Sequence, residues 1–113
     1  MTPFDHILKL YEDHPTVNFE ADLEAHFQRG YLVSTPEAFA MVRPVRKDWT
    51  PESLRNPFHV EPLATADCWF IWALAGDFKV AARWLPCLLP WIGYARRGKP
   101  PVFRETSRLT FGR

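Results

Sequence analysis

The sequence offers little that singles out a chemistry. Its two cysteines, Cys68 and Cys87, lack CxxC spacing and are far too few for a disulfide scaffold. The serines Ser34, Ser53 and Ser107 have no GxSxG elbow around them. His6, His14, His26 and His59 are dispersed, with no carboxylate or cysteine at ligand spacing, so no metal site is expected. There is no excess of charge of one sign. The net charge of +1 supplies no global reason to expect a nucleic-acid or acidic partner. There is no internal repeat and no low-complexity segment. The opening MTPFDHILKL lacks a basic stretch followed by a long apolar one, so no secretion signal is expected. Residues 68–95 are apolar, yet Asp77, Lys79 and Arg83 interrupt them and Pro86 and Pro90 break them. A spanning helix needs about 20 mostly uncharged residues, so this stretch reads as soluble core.

What is present is a core. A hydrophobic content of 47% with 15% aromatics argues against disorder, and 113 residues suit one domain spanning 1–113. Charge is unevenly placed. Residues 1–29 carry Asp5, Glu12, Asp13, Glu20, Asp22 and Glu24 against Lys9 and Arg29. Residues 96–113 carry Arg96, Arg97, Lys99, Arg104, Arg108 and Arg113 against Glu105. Two solvated faces of opposite sign account for this, as does a polar molecule that docks end to end.

The rest of the chain is organised around residues 67–97. Cys68 to Ala75 is unbroken apolar sequence, expected to form a central strand covered on both sides. Alternation would send Cys68, Phe70, Trp72 and Leu74 one way and Trp69, Ile71, Ala73 and Ala75 the other. Gly76-Asp77 breaks the run. Asp77 can cap a helix from Phe78 whose inner face is Phe78, Ala81, Ala82 and Leu85, and a further strand follows over 91–96.

Before this unit, Thr2 and Pro3 start a helix with the stripe Phe4, Ile7, Leu8 and Tyr11, ended by His14-Pro15. A second helix is expected over 18–29, with Phe19, Leu23, His26 and Phe27 inward and Gly30 terminating it. Strands at 31–34 and 38–45 follow, joined by Thr35-Pro36-Glu37. Residues 46–66, with Pro51, Pro57 and Pro62, read as a long surface connection holding one helical turn at Thr50-Pro51-Glu52. Arg97-Gly98-Lys99-Pro100 reads as a turn into a last strand near 102–106. The fold class is α+β: two N-terminal helices, then a mixed sheet whose parallel pair is joined by a helical crossover.

That order of elements resembles the GNAT family of N-acetyltransferases over about residues 1–97. The run Cys68-Trp69-Phe70 is similar to one in small GNAT-like proteins of tailed phages. The resemblance implies a truncated GNAT-like topology and a phage-derived or virion-associated origin. The family's turn after the central strand resembles Q/R-x-x-G-x-G/A, whose N–H groups hold the coenzyme A pyrophosphate. Here Gly76 meets the first glycine, Ala73 stands where Gln or Arg belongs, and Asp77 and Phe78 follow. A carboxylate facing the pyrophosphate repels it, so no cofactor and no catalytic residue is expected.

The leading expectation is a small non-catalytic protein that acts by contact with another protein or with itself. Trp49 and Phe58 in the proline-rich connection supply aromatic anchors, and Arg96, Arg97 and Lys99 supply steering. The alternatives are an atypical GNAT-like acyltransferase and a nucleic-acid-binding or host-inhibiting module. The latter would use the basic hairpin, where Tyr94 and Phe103 flank the arginines. The expected setting is cytoplasmic or within an assembled particle, with no membrane.

Overall fold

The structure, a computed structural model, describes residues 1–14, 17–96 and 98–108. Helix α1 (Pro3–Glu12) opens with a capping box: Asp5 N–H donates to Thr2 Oγ1, and Thr2 N–H donates back to the Asp5 carboxylate. Helix α2 (Phe19–Gln28) is capped by Asn18, which accepts from Ala21 N–H at 3.0 Å. Each cap satisfies donors that a helix start otherwise leaves orphaned. The chain then enters a hairpin, β1 (Tyr31–Ser34) and β2 (Ala38–Val45), with the bounds expected from the sequence. A single turn, α3 (Pro51–Leu54), interrupts the long connection. After β3 (Cys68–Gly76) come α4 (Phe78–Ala82), β4 (Trp91–Tyr94), β5 (Val102–Glu105) and a short 3-10 turn at Thr106–Arg108.

The five strands lie in the order β1-β2-β3-β4-β5, antiparallel except for the parallel β3–β4 pair that α4 joins. This is the α+β class expected, with the crossover where the sequence placed it. No helix of the described residues is long and apolar enough to cross a membrane.

Both faces of the sheet are covered. Val33, Ala38, Ala40, Val42, Trp69 and Leu74 pack with Ala81 and Phe78 of α4. On the other face Phe39 and Met41 pack with Ile7 of α1 and Phe19 of α2, and Phe70 and Val45 pack beneath Leu54. Burial at roughly 25 cal/mol per Å2 of apolar surface is what holds these layers together.

The inward and outward pattern of β3 departs from strict alternation. Partners step from Met41↔Ala73 to Val42↔Ile71, so Trp72 is the extra residue of a β-bulge. Past it the phase inverts: Leu74 joins Trp69 and Ile71 on the α4 face, while Ala73 and Ala75 turn toward α1. Three other expectations are corrected. Phe27 is 75% exposed rather than inward, because the buried side of α2 is centred on Asp22, Ala25 and His26. Helix α4 stops at Ala82 rather than Leu85, and β4 at Tyr94 rather than Arg96.

Candidate functional site at the outer strand

The residues expected to make contact lie on two segments, the connection before β3 and the turn after β4. Trp49 lies half-buried against the cluster of Val45, Leu54, Cys68 and Phe70, and its ring stacks on His59 at 4.0 Å between centroids and 13° between planes. Phe58 is 49% exposed, with the Arg29 guanidinium 5.9 Å from its ring centre. Arg96 and Lys99 are exposed at the far end of the β4–β5 connection, where the Lys99 carbonyl accepts from Arg55. Arg97 lies outside the described residues.

A polar cluster that the sequence reading missed sits beneath α1 and α2. Asp22 Oδ2 accepts from Tyr11 Oη at 2.7 Å and from Trp72 Nε1 at 3.0 Å. Burial, then the Asp22 carboxylate, pushes the Tyr11 hydroxyl above its usual range. His26 is fully buried; its Nδ1 bonds the Asp22 carbonyl at 2.7 Å, which makes it the donor, and Nε2 finds no partner. Burial, with the Arg43 charge nearby, pulls the imidazole below its ordinary pKa and keeps it neutral.

Arg43 is also fully buried. Its guanidinium donates to the carbonyls of Asn56 (2.6 Å), His59 (2.9 Å) and Leu54, and it lies 5.5 Å from the Trp72 ring centre. Among the described residues no carboxylate pairs with it. Burial lowers its pKa to about 10, so it stays a cation at neutral pH. It acts as a clamp on the connection, closing the carbonyl end of α3 from the sheet side. Among the described residues His26 Nε2 and Arg43 Nε are left without a partner, and the remaining bonds hold helices and connection to the sheet.

The turn after β3 is equally occupied. Asp77 Oδ1 accepts from Lys79 N–H at 2.9 Å, so the carboxylate satisfies the start of α4 itself. Gly76 has φ +88°, and a Cβ there would collide with the Glu37 carbonyl oxygen and lie 3.0 Å from Ala38 Cα. The glycine therefore serves a close approach to the β1–β2 hairpin. Cys68 is buried, and burial raises its thiol to about 12, far from a reactive thiolate.

Among the described residues, the outer edge at β1 is open. Two grooves meet at Tyr31. One, of about 290 Å3, runs along residues 31–35 and is walled by Trp84. The other, of about 400 Å3, lies between Gln28–Gly30, Pro44 and the 60–63 segment. Trp84 is 69% exposed, and Leu88 nearby in sequence is 56% exposed. Natural edge strands are normally blunted by charge or proline. The opposite edge obeys this: β5 carries Arg104 and Glu105 and follows Pro100-Pro101. β1 reads Tyr-Leu-Val-Ser, with neither inside the strand, and Pro36 follows two residues beyond it. The signal was legible in part, since those four residues are uncharged and Trp84 is outside the inner face Phe78, Ala81, Ala82 and Leu85 expected from the sequence. That β1 is an outer strand was not legible, because position in a sheet follows from pairing. Comparison with models of protein families, with curated proteins and with solved structures finds no match for this chain.

Proposed function

We propose that this is a small non-catalytic contact protein that binds another protein chain by adding a strand to its sheet at β1. The observation that carries the reading is the contrast between the two edge strands: β5 carries charges within the strand, while β1 carries none and is flanked by an exposed tryptophan. Strand addition gains affinity from main-chain hydrogen bonds and specificity from side-chain grooves beside the edge, both of which this edge offers. Such an edge suits assembly into a larger particle, the setting that the phage resemblance implies.

A photo-crosslinking residue placed at Ser34, compared with one at Glu20 on α2, tests this in the cells that make the protein. The expected result is a covalent adduct with a protein chain from position 34 and none from position 20. A folded protein that forms no adduct from position 34 overturns the reading.

A further inference from the structure

We propose that the chain received at this edge is a second copy of the same protein, its β1 laid antiparallel on β1 about a two-fold axis through Val33. The inference rests on the strand-addition reading and specifies its partner and register.

The hairpin sets the phase of the exposed hydrogen-bonding groups. Thr35 N–H donates to Ala38 O at 2.8 Å, closing the turn with a hydrogen-bonded pair. Antiparallel ladders alternate bonded and non-bonded pairs. Val33 and Tyr31, opposite Ala40 and Val42, therefore direct their backbone groups toward β2, and Leu32 and Ser34 direct theirs outward. The ends of this outward row are restricted. Gly30 N–H is already committed to His26 O at 3.1 Å, and Pro36 has no N–H.

Three antiparallel registers bring outward groups of two copies face to face. Centred on Leu32, the strand sets Ser34 opposite the committed Gly30. Centred on Ser34, it sets Leu32 opposite Pro36. Centred on Val33, Leu32 meets Ser34 of the partner and Ser34 meets its Leu32, so every outward N–H and C=O of the two residues is paired. The same register brings Arg29, at the end of α2, toward Glu37 in the hairpin turn of the second copy, at both ends of the strand. Both side chains are exposed, and among the described residues neither has an ion-pair partner within its own chain. A parallel arrangement would instead bring Arg29 toward Arg29. The two-fold keeps α4 of both copies on one side of a continuous sheet, with each Trp84 walling the groove into which the partner's β1 side chains project. Four backbone bonds, two tryptophans and two rim ion pairs make a small interface, so association at the micromolar level is expected.

Sedimentation velocity over a concentration series, with circular dichroism to verify folding, tests the proposal. Wild type is expected to shift toward twice the monomer mass near 100 μM, about the top of a practical series. Ser34→Pro removes an outward N–H without touching the β1–β2 ladder, and should weaken the dimer about tenfold or more. Arg29→Glu and Glu37→Arg should each weaken it, and the double swap should restore it. A dimer that survives Ser34→Pro, or a double swap that restores nothing, overturns the register and the proposal. A wild type that stays monomeric throughout, while position 34 still crosslinks to a different protein in cells, overturns self-pairing and leaves strand addition standing. A monomer with no adduct overturns both.

Discussion

At the scale of single residues, Arg43 and His26 show how this chain tolerates two basic groups inside its core. Arg43 solves burial by borrowing carbonyls: three oxygens from the 54–59 segment stand in for a counter-ion. Arg43→Met fills similar space yet strands those acceptors, and each orphaned buried acceptor costs about 1–3 kcal/mol. Denaturant unfolding is expected to show a loss of roughly 2–4 kcal/mol. An unchanged midpoint would mean that the carbonyls find water instead. His26 solves burial by staying neutral. Its folded pKa lies below the unfolded value of about 6.5, so the unfolded chain binds the proton more readily. Stability is therefore full above about pH 6.5 and is lost as pH falls through the lower folded value. Melting temperature should drop as pH falls below about 6.5 in wild type and be much flatter in His26→Gln. Neither role was readable in advance. A lone Arg in an apolar run and a His on a helix carry no mark of the carbonyls or rings that will surround them.

At the scale of elements, the order of helices and strands was legible because each boundary has a chemical sign: Thr2, Asn18 and Asp77 as caps, Thr35-Pro36-Glu37 as a turn. The bulge at Trp72 was not legible. From Cys68 to Ala75 every residue is apolar, so a one-residue slip in phase leaves no trace in the pattern. The bulge has a use: it aims Trp72 at Asp22, which ties the central strand to α2. The turn that follows bears on coenzyme binding. Asp77 already occupies the Lys79 N–H and Gly76 is pressed against the hairpin, so acetyl-CoA should give no heat of binding in titration calorimetry. Micromolar binding would revive the acyltransferase alternative. Gly76→Ala, which adds a methyl where φ is +88° and the Glu37 carbonyl is in the way, should destabilise by at least about 1 kcal/mol.

At the scale of the whole molecule, the charges named in the sequence sort by position along the sheet. Arg29 and Glu37 bracket the bare edge, while Arg96, Lys99 and Arg104 gather toward the guarded one. Trp49, expected as an anchor for a partner, has a packing duty that such a role does not require: it covers Val45 and Phe70 and stacks on His59. Trp49→Ala should cost about 2–3 kcal/mol, somewhat under the 3–5 typical of a fully buried aromatic. A folded variant of unchanged stability would return Trp49 to the list of contact residues. The grooves at Tyr31 could not have been read from the chain, since they join Gln28 to Leu63 and Ser34 to Trp84 across large gaps in sequence.

The complete burial of β2 has a consequence for how the protein comes into being. All eight of its residues are shielded, and one of its two strand neighbours is β3, which does not begin until residue 68. Without β3, the inner strand of the hairpin has no neighbour on its far side. Parallel pairing of β3 with β4 comes later still, after the α4 crossover. Structure built from distant pairings forms slowly. The first 66 residues alone should therefore stay unfolded or aggregate, and limited proteolysis of that fragment should leave no protected core.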